Sequence, residues 1–181
     1  MKNTNTIFNE MITHIPLCTH QNPQNIIVVN ANDDISKQLS NYNLENIQNK
    51  SLDELLSSEF NSADVIIINQ ENTIDEKSIS NIYNILKSDG LVIFPSADYD
   101  EQYSKLIDNL KLCNKFWVAM PSRFEGQTLI FASKKYHPQA DIILQRANFI
   151  DDLYYYHSDM QISSFTMPTY IKKALLGIAK N

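Results

Sequence analysis

The turn after the first strongly apolar run, Asn30-Ala31-Asn32-Asp33-Asp34 within NIIVVNANDD, is the first place where this chain could hold a small molecule. Where a buried strand of a parallel sheet hands over to a helix, backbone must approach a ligand closely, and that normally calls for glycine. None is present, and Asp33 reads equally as a ligand contact or as a helix cap. A second place is Asn69-Gln70-Glu71-Asn72, where Glu71 is a carboxylate able to hold a cation or accept a proton, or simply a solvated loop acid. Tyr154, Tyr155 and Tyr156, with Asp159 just beyond, form either an aromatic wall for a substrate or a half-buried strand. His14, Cys18 and His20 are metal-ligand types, but they are three without a fourth on a segment bounded by Pro16 and Pro23. They are read as a structural helix-to-strand connection, with no metal.

Composition bounds the rest. The 181 residues, 43% hydrophobic and 20% charged, suit one globular domain spanning 1–181. A net charge of -6 with only 15 Lys and Arg argues against a general nucleic-acid binder, since phosphate neutralisation needs clustered cations. No apolar run reaches membrane-spanning length and MKNTNTIFNE lacks a signal-peptide core, so the protein is expected to be cytoplasmic with no membrane partner. Cys18 and Cys113 fit reduced thiols.

The elements that must position these residues alternate. Phe8, Met11, Ile12 and Ile15 predict a helix over Thr6 to Ile15 ended by Pro16. Strand Asn25 to Val29 follows, then a short helix from Asp33-Asp34 to Tyr42 and an unclear stretch with a short strand around Leu44 to Ile47. A helix over Leu52 to Phe60, strand Ala63 to Ile68, and a helix with Ile79, Ile82, Tyr83 and Leu86 on one face come next. The turn KSDG then leads to strand Leu91 to Phe94. After a helix marked by Tyr103, Leu106, Ile107 and Leu110, Phe116 to Met120 and Thr128 to Ser133 pair as a hairpin through Pro121 to Gln127. Ile171, Ala174, Leu175 and Ile178 mark a final helix. This is an α/β fold, a Rossmann-like open sheet of the S-adenosylmethionine-dependent methyltransferase type, mainly parallel with a late antiparallel hairpin. Any ligand pocket should lie at the C-terminal ends of the strands, framed by Asp33, Glu71 and Gln127.

The same segments resemble the spermidine synthases, aminopropyltransferases that use decarboxylated S-adenosylmethionine and putrescine. The resemblance begins at Glu10 to Pro23 (EM-x-x-H-x-P-L-C-x-H-x-N-P) and continues through ADVIIINQENT, KSDGLVIF and VAMPS with Gly126-Gln127. It closes on Tyr155, Tyr156, Ser158, Asp159, Phe165 and Pro168. It implies that Asn69, Glu71 and Asn72 stand at the catalytic positions and that Asp33, Gln127, Tyr155, Tyr156 and Asp159 line the substrate site. It implies decarboxylated S-adenosylmethionine as co-substrate, no covalent cofactor, and a small polyamine or nucleoside as ligand; a homodimer is allowed.

The implied reaction needs a diamine and a nucleoside held in line, and a base for the attacking ammonium; carboxylates serve both charge pairing and proton removal. Against that requirement the chain departs from the family pattern. The glycine-rich loop GGGDG corresponds to Asn30 to Asp34, keeping only Asp33. The acidic motif DSSDP corresponds to Asn69 to Thr73, with amides in place of both aspartates and Glu71 as a displaced carboxylate. His157 and Gln161 stand for the Asn and His of the closing motif, and Glu45 is the candidate nearest the ribose-binding acid. The chain is also read as lacking the family's small N-terminal β domain. Two functions follow: aminopropyl transfer in polyamine biosynthesis through a variant site, or a pseudoenzyme that keeps the fold to bind a partner or ligand.

Overall fold

The computed structural model describes residues 3–71 and 74–181. Among them, one six-stranded sheet runs in the order β2-β1-β3-β4-β6-β5. Strands β1 (Asn25–Val29), β2 (Asn46–Lys50), β3 (Ala63–Ile68) and β4 (Leu86–Ser96) are parallel, and β5 (Val118–Phe124) with β6 (Gln127–Ser133) forms an antiparallel hairpin on β4. The three apolar runs expected to be adjacent and buried are so. Alternation along them fills two separate cores: Ile26, Val28, Val65 and Ile67 face one side, and Ile27, Val29, Ile66 and Ile68 the other. Helices α1 (Thr4–Thr19), α2 (Asp33–Leu39) and α6 (Leu144–Asn148) contribute to the first core. Helices α3 (Leu52–Leu56), α4 (Glu76–Ile85), α5 (Tyr99–Leu112) and α8 (Thr169–Ala174) contribute to the second, and α7 (Ser158–Ser164) precedes α8.

Several boundaries differ from expectation. Helix α1 runs through Pro16 to Thr19; the His20 amide still donates to the Pro16 carbonyl at 3.0 Å, and tight burial overrides the loss of one donor. Asn32, not Asp33, caps α2, its side chain accepting from the Ile35 amide at 2.8 Å. Strand β2 begins two residues later than Leu44 and is an exposed, polar edge, which is why apolar patterning missed it. Helix α3 ends at Leu56, short of Phe60, after a Ser51–Glu54 capping box.

KSDG is not a turn. It lies within β4, where the register with β3 jumps from Ala63↔Leu86 to Val65↔Leu91, so Lys87 to Gly90 bulge out opposite Asp64. Gly90 is needed there, because a Cβ would sit 3.0 Å from Leu86 Cβ and 3.1 Å from the Ala63 carbonyl oxygen. The hairpin is tighter than the connection Pro121 to Gln127. Both strands extend into it and leave only Glu125 and Gly126 at the turn, with φ of 47° and 77°. Residues 154–156 are irregular rather than a strand. No helix among the described residues is long and apolar enough to cross a membrane.

Candidate functional site

Because β1 is flanked by β2 on one side and β3 on the other, the chain reverses its direction of travel across the sheet there, and the crevice at the C-terminal strand ends opens at that point. Two adjoining lobes occupy it and share Phe8, Glu71, Pro95 and Gln127. The wider lobe, about 570 Å³, adds Asn9, Asn32, Asp33, Asp34, Asn69 and Gln70. The narrower, about 210 Å³, is walled by Ser96, Asp98, Glu101 and Thr128. Asp33, Asn69, Glu71 and Gln127 are thus brought together.

The cleft is acidic on balance, with Asp33, Asp34, Glu71, Asp98 and Glu101 lining it against Lys105. Asp33 and Glu71 are exposed in it. Asp98, the N-cap of α5, is buried and held by Arg123, whose Nε and Nη2 donate to its two oxygens at 2.9 and 2.8 Å, and by the Thr128 hydroxyl at 2.8 Å. Burial pushes the Asp98 carboxyl up, but Arg123, the Asp100 amide and Thr128 together outweigh it and hold the group below its ordinary value. Gln127, on the first residue of β6, aims a buried Oε1 that has no hydrogen-bond partner. An unpaired buried acceptor beside several carboxylates suits a cationic donor.

The turn expected to need glycine uses asparagine instead. Asn30 takes the left-handed conformation, φ 56°, which asparagine tolerates better than most residues. Its side chain then donates to Gln70 Oε1 at 2.8 Å, while Asn69 Nδ2 donates to the Asn30 carbonyl at 2.9 Å. The Ala31 amide is taken by Asn49 Oδ1 at 3.0 Å, and Asn32 Nδ2 donates to Asn9 Oδ1 at 3.2 Å. Asn9 in turn donates to Asp34 at 3.2 Å. Amide side chains therefore satisfy groups that a ligand seated on this turn would use.

The remaining candidates lie elsewhere. Asn72 falls outside the described residues. Tyr155 packs its ring toward Phe124, 6.5 Å between centroids, and Asp159 is exposed in the first turn of α7. Tyr156 is buried, its ring 4.9 Å from that of His14 and its hydroxyl 2.5 Å from Gln161 Oε1. Gln161 donates to Thr19 and to the Pro138 carbonyl. Glu10, 1% exposed, accepts from the backbone amides of Tyr154, Tyr155 and Tyr156 at 2.8, 2.8 and 2.9 Å. Neither Tyr155, Tyr156 nor Asp159 lines either lobe. Glu45 precedes the first residue of β2 and so sits at the opposite end of the sheet from the cleft; Lys50 ends the strand there.

His14 and Cys18 both meet the Tyr42 hydroxyl, at 2.5 and 3.4 Å, and His14 also meets Gln38 at 2.9 Å. Asp98 and Glu101 were not singled out from sequence. The available signal was an Asp placed between a buried strand and a helix with acids in its first turn.

No family model matches the chain. It is 24% identical to a polyamine aminopropyltransferase of Alkaliphilus oremlandii over 220 residues, covering 93% of this chain and 78% of that protein. It is 26% identical to one of Clostridium botulinum, covering 91% and 76%. An aligned length of 220 against a chain of 181 means that the relatives carry segments this chain lacks. Among solved structures, the spermidine synthase of Thermotoga maritima superposes with a TM-score of 0.81 at 19% identity, covering 94% of this chain and 74% of that one. A spermidine synthase in complex with the transition-state analogue AdoDATO gives 0.83 at 18%, covering 94% and 75%. Over nearly its whole length, then, the chain is similar to polyamine aminopropyltransferases in sequence and shares the fold of the spermidine synthases.

Proposed function

We propose that the chain acts in polyamine metabolism as a divergent aminopropyltransferase-type protein whose cleft takes a putrescine-like diamine. The observation that carries this is the acidic crevice at the strand ends, where Asp33 and Asp98 line adjoining lobes that share Glu71 and Gln127, whose Oε1 is unpaired. Ammonium groups would pair with the carboxylates and donate to Gln127, while Phe8 offers an apolar surface to the methylenes. In the reaction, the amine nitrogen attacks the propyl carbon beside the sulfonium of decarboxylated S-adenosylmethionine. The carbon–sulfur bond breaks, methylthioadenosine leaves, and the proton from the attacking nitrogen passes to a base. Glu71, a carboxylate that lines both lobes, supports the reading that it serves as that base. Asn69 and Asn72 cannot accept a proton as carboxylates do, and general-base catalysis is typically worth about 10²–10⁴-fold, so turnover should fall below that of relatives by a factor in that range.

A second reading, non-catalytic binding of the amine alone, is favoured by the amide network over Asn30 to Asn32, which uses backbone groups a nucleoside would need. One experiment separates the two. Purified protein is given decarboxylated S-adenosylmethionine and putrescine, and spermidine is followed by chromatography with Glu71→Gln as control. Slow formation abolished by Glu71→Gln supports transfer, and none supports binding alone. Robust formation that survives Glu71→Gln would overturn the assignment of Glu71.

A further inference from the structure

At the opposite end of the sheet from the cleft, three side chains from distant parts of the chain converge. His20 follows α1, Asp64 is the second residue of β3, and Asp89 rides on the β4 bulge. One ligand-type atom from each lies within 4.8 Å of those of the other two. His20 is 2% exposed, and neither of its ring nitrogens has a hydrogen-bond partner. Leaving a buried imidazole unpaired costs about 1–3 kcal/mol per group, so an occupant that uses it is favoured. Its Nε2 lies 3.8 Å from Asp89 Oδ1, too far for a hydrogen bond.

The carboxylates are arranged to match. Asp64 anchors one oxygen, Oδ2, on the amides of Gln24 and Asn25 at 3.1 and 2.7 Å and on the Asn25 side chain at 3.3 Å. Asp89 anchors Oδ2 on the Tyr136 hydroxyl at 3.1 Å. Asp89 thereby keeps Oδ1 for the space beside His20, while Asp64 Oδ1 is met by the Lys87 ammonium at 2.9 Å. Outer contacts that orient ligands in this way are typical of metal sites. The His20 backbone is fixed as well, since Arg146 donates to the carbonyls of Leu17, His20 and Gln21 at 2.5, 2.7 and 2.9 Å. Tyr136 packs edge-on against the His20 ring, 4.9 Å between centroids.

We propose that His20, Asp64 and Asp89 form a structural site for a first-row divalent cation such as Zn²⁺, tying the end of α1 to β3 and the β4 bulge. Nitrogen and oxygen ligands at about 2.0–2.2 Å from such an ion stand no more than about 4.4 Å apart, so a small inward closure completes the set, with solvent at the open position. An imidazole in the set selects against Mg²⁺ and Ca²⁺. Lys87 competes for this place. Its Nζ lies 2.9 Å from Asp64 Oδ1, but its side chain is a third exposed and can swing into solvent. Lys135, 4.0 Å from Asp89 Oδ2, is more exposed still. The spacing of His14, Cys18 and His20 conceals the site in sequence, because two of its ligands come from strands.

The test uses untagged, chelator-treated protein titrated calorimetrically with Zn²⁺ and with Mg²⁺, with far-UV circular dichroism confirming folding. One Zn²⁺ per chain and no Mg²⁺ heat are expected. Asp89→Asn and His20→Gln should each weaken Zn²⁺ at least about tenfold, by analogy with the loss of a ligand or its support. Lys87→Met should tighten it severalfold, an outcome that a surface-bound ion would not give. Should His20→Gln fail to fold, Asp89→Asn and Lys87→Met decide alone. Failure of both the parent and Lys87→Met to bind Zn²⁺ stoichiometrically, or binding undiminished by Asp89→Asn, overturns the proposal.

Discussion

Replacing Glu10 by alanine should be among the most damaging single changes in this protein, although Glu10 lines neither lobe of the cleft. Its carboxylate accepts three backbone amides, those of Tyr154, Tyr155 and Tyr156, and it is almost fully buried. Hydrogen bonds to a charged group are worth about 1.5–3 kcal/mol each, and a buried amide left unpaired costs about 1–3 kcal/mol. Water can reach the Tyr154 end, since that side chain is exposed, so two amides are fully orphaned and one partly. The sum is about 3–5 kcal/mol, which for a chain of this length lowers the melting temperature by roughly 10 °C. Glu10→Gln should cost less, about 2 kcal/mol, because the amide oxygen can take the place of Oε2 and serve the Tyr155 and Tyr156 amides, so that only the Tyr154 amide meets an NH₂ group. Urea denaturation followed by circular dichroism measures both. If Glu10→Ala unfolds within about 1 kcal/mol of the parent, the reasoning that this carboxylate fixes the 154–156 segment is wrong.

Other outcomes follow from the same structure. Burial lowers the His14 pKa to about 4 against the opposing effects of Gln38 and Glu10, so between pH 6.5 and about 4 the unfolded chain binds a proton that the native one refuses. Stability at pH 7 should thus fall on acidification through that window, by about 3 kcal/mol in all, and urea midpoints of His14→Phe should show a flatter slope. Gly90→Ala should cost about 1–3 kcal/mol through the crowding against Leu86 and the Ala63 carbonyl, read by the same melts; an unchanged midpoint would show that the bulge yields freely. Asn69→Asp should loosen the first turn, because a carboxylate cannot donate to the Asn30 carbonyl, and hydrogen exchange of the Ala31 amide should quicken.

Much of the fold was legible because its three central strands are apolar runs buried on both faces, and only such runs read without ambiguity. What escaped was local. The edge strand Asn46–Lys50 is polar because little covers it, and α1 continues past Pro16 because tertiary packing outweighs one missing donor. At the cleft, Asp33, Glu71 and Gln127 could be placed together by the rule that open sheets bind at their strand ends, and Asn69 joined them only through the family resemblance. Asp98 could not, because its position depends on a bidentate Arg123 from the hairpin. The motifs carrying the family resemblance turn out to hold one another. Glu10 caps the backbone at Tyr154 to Tyr156, Tyr156 stacks on His14, and Gln161 joins Thr19. Their contribution to packing gives a physical reason for them to persist where loop glycines and strand-end aspartates do not.

The most direct test of the account is calorimetry at one pH with two ligands, putrescine and decarboxylated S-adenosylmethionine. An acidic cleft beside an amide-filled turn predicts that putrescine binds and that Glu71→Gln and Gln127→Leu weaken it, while the nucleoside binds much more weakly than in relatives with a glycine-rich loop. Tight nucleoside binding, with no heat from putrescine, would contradict it.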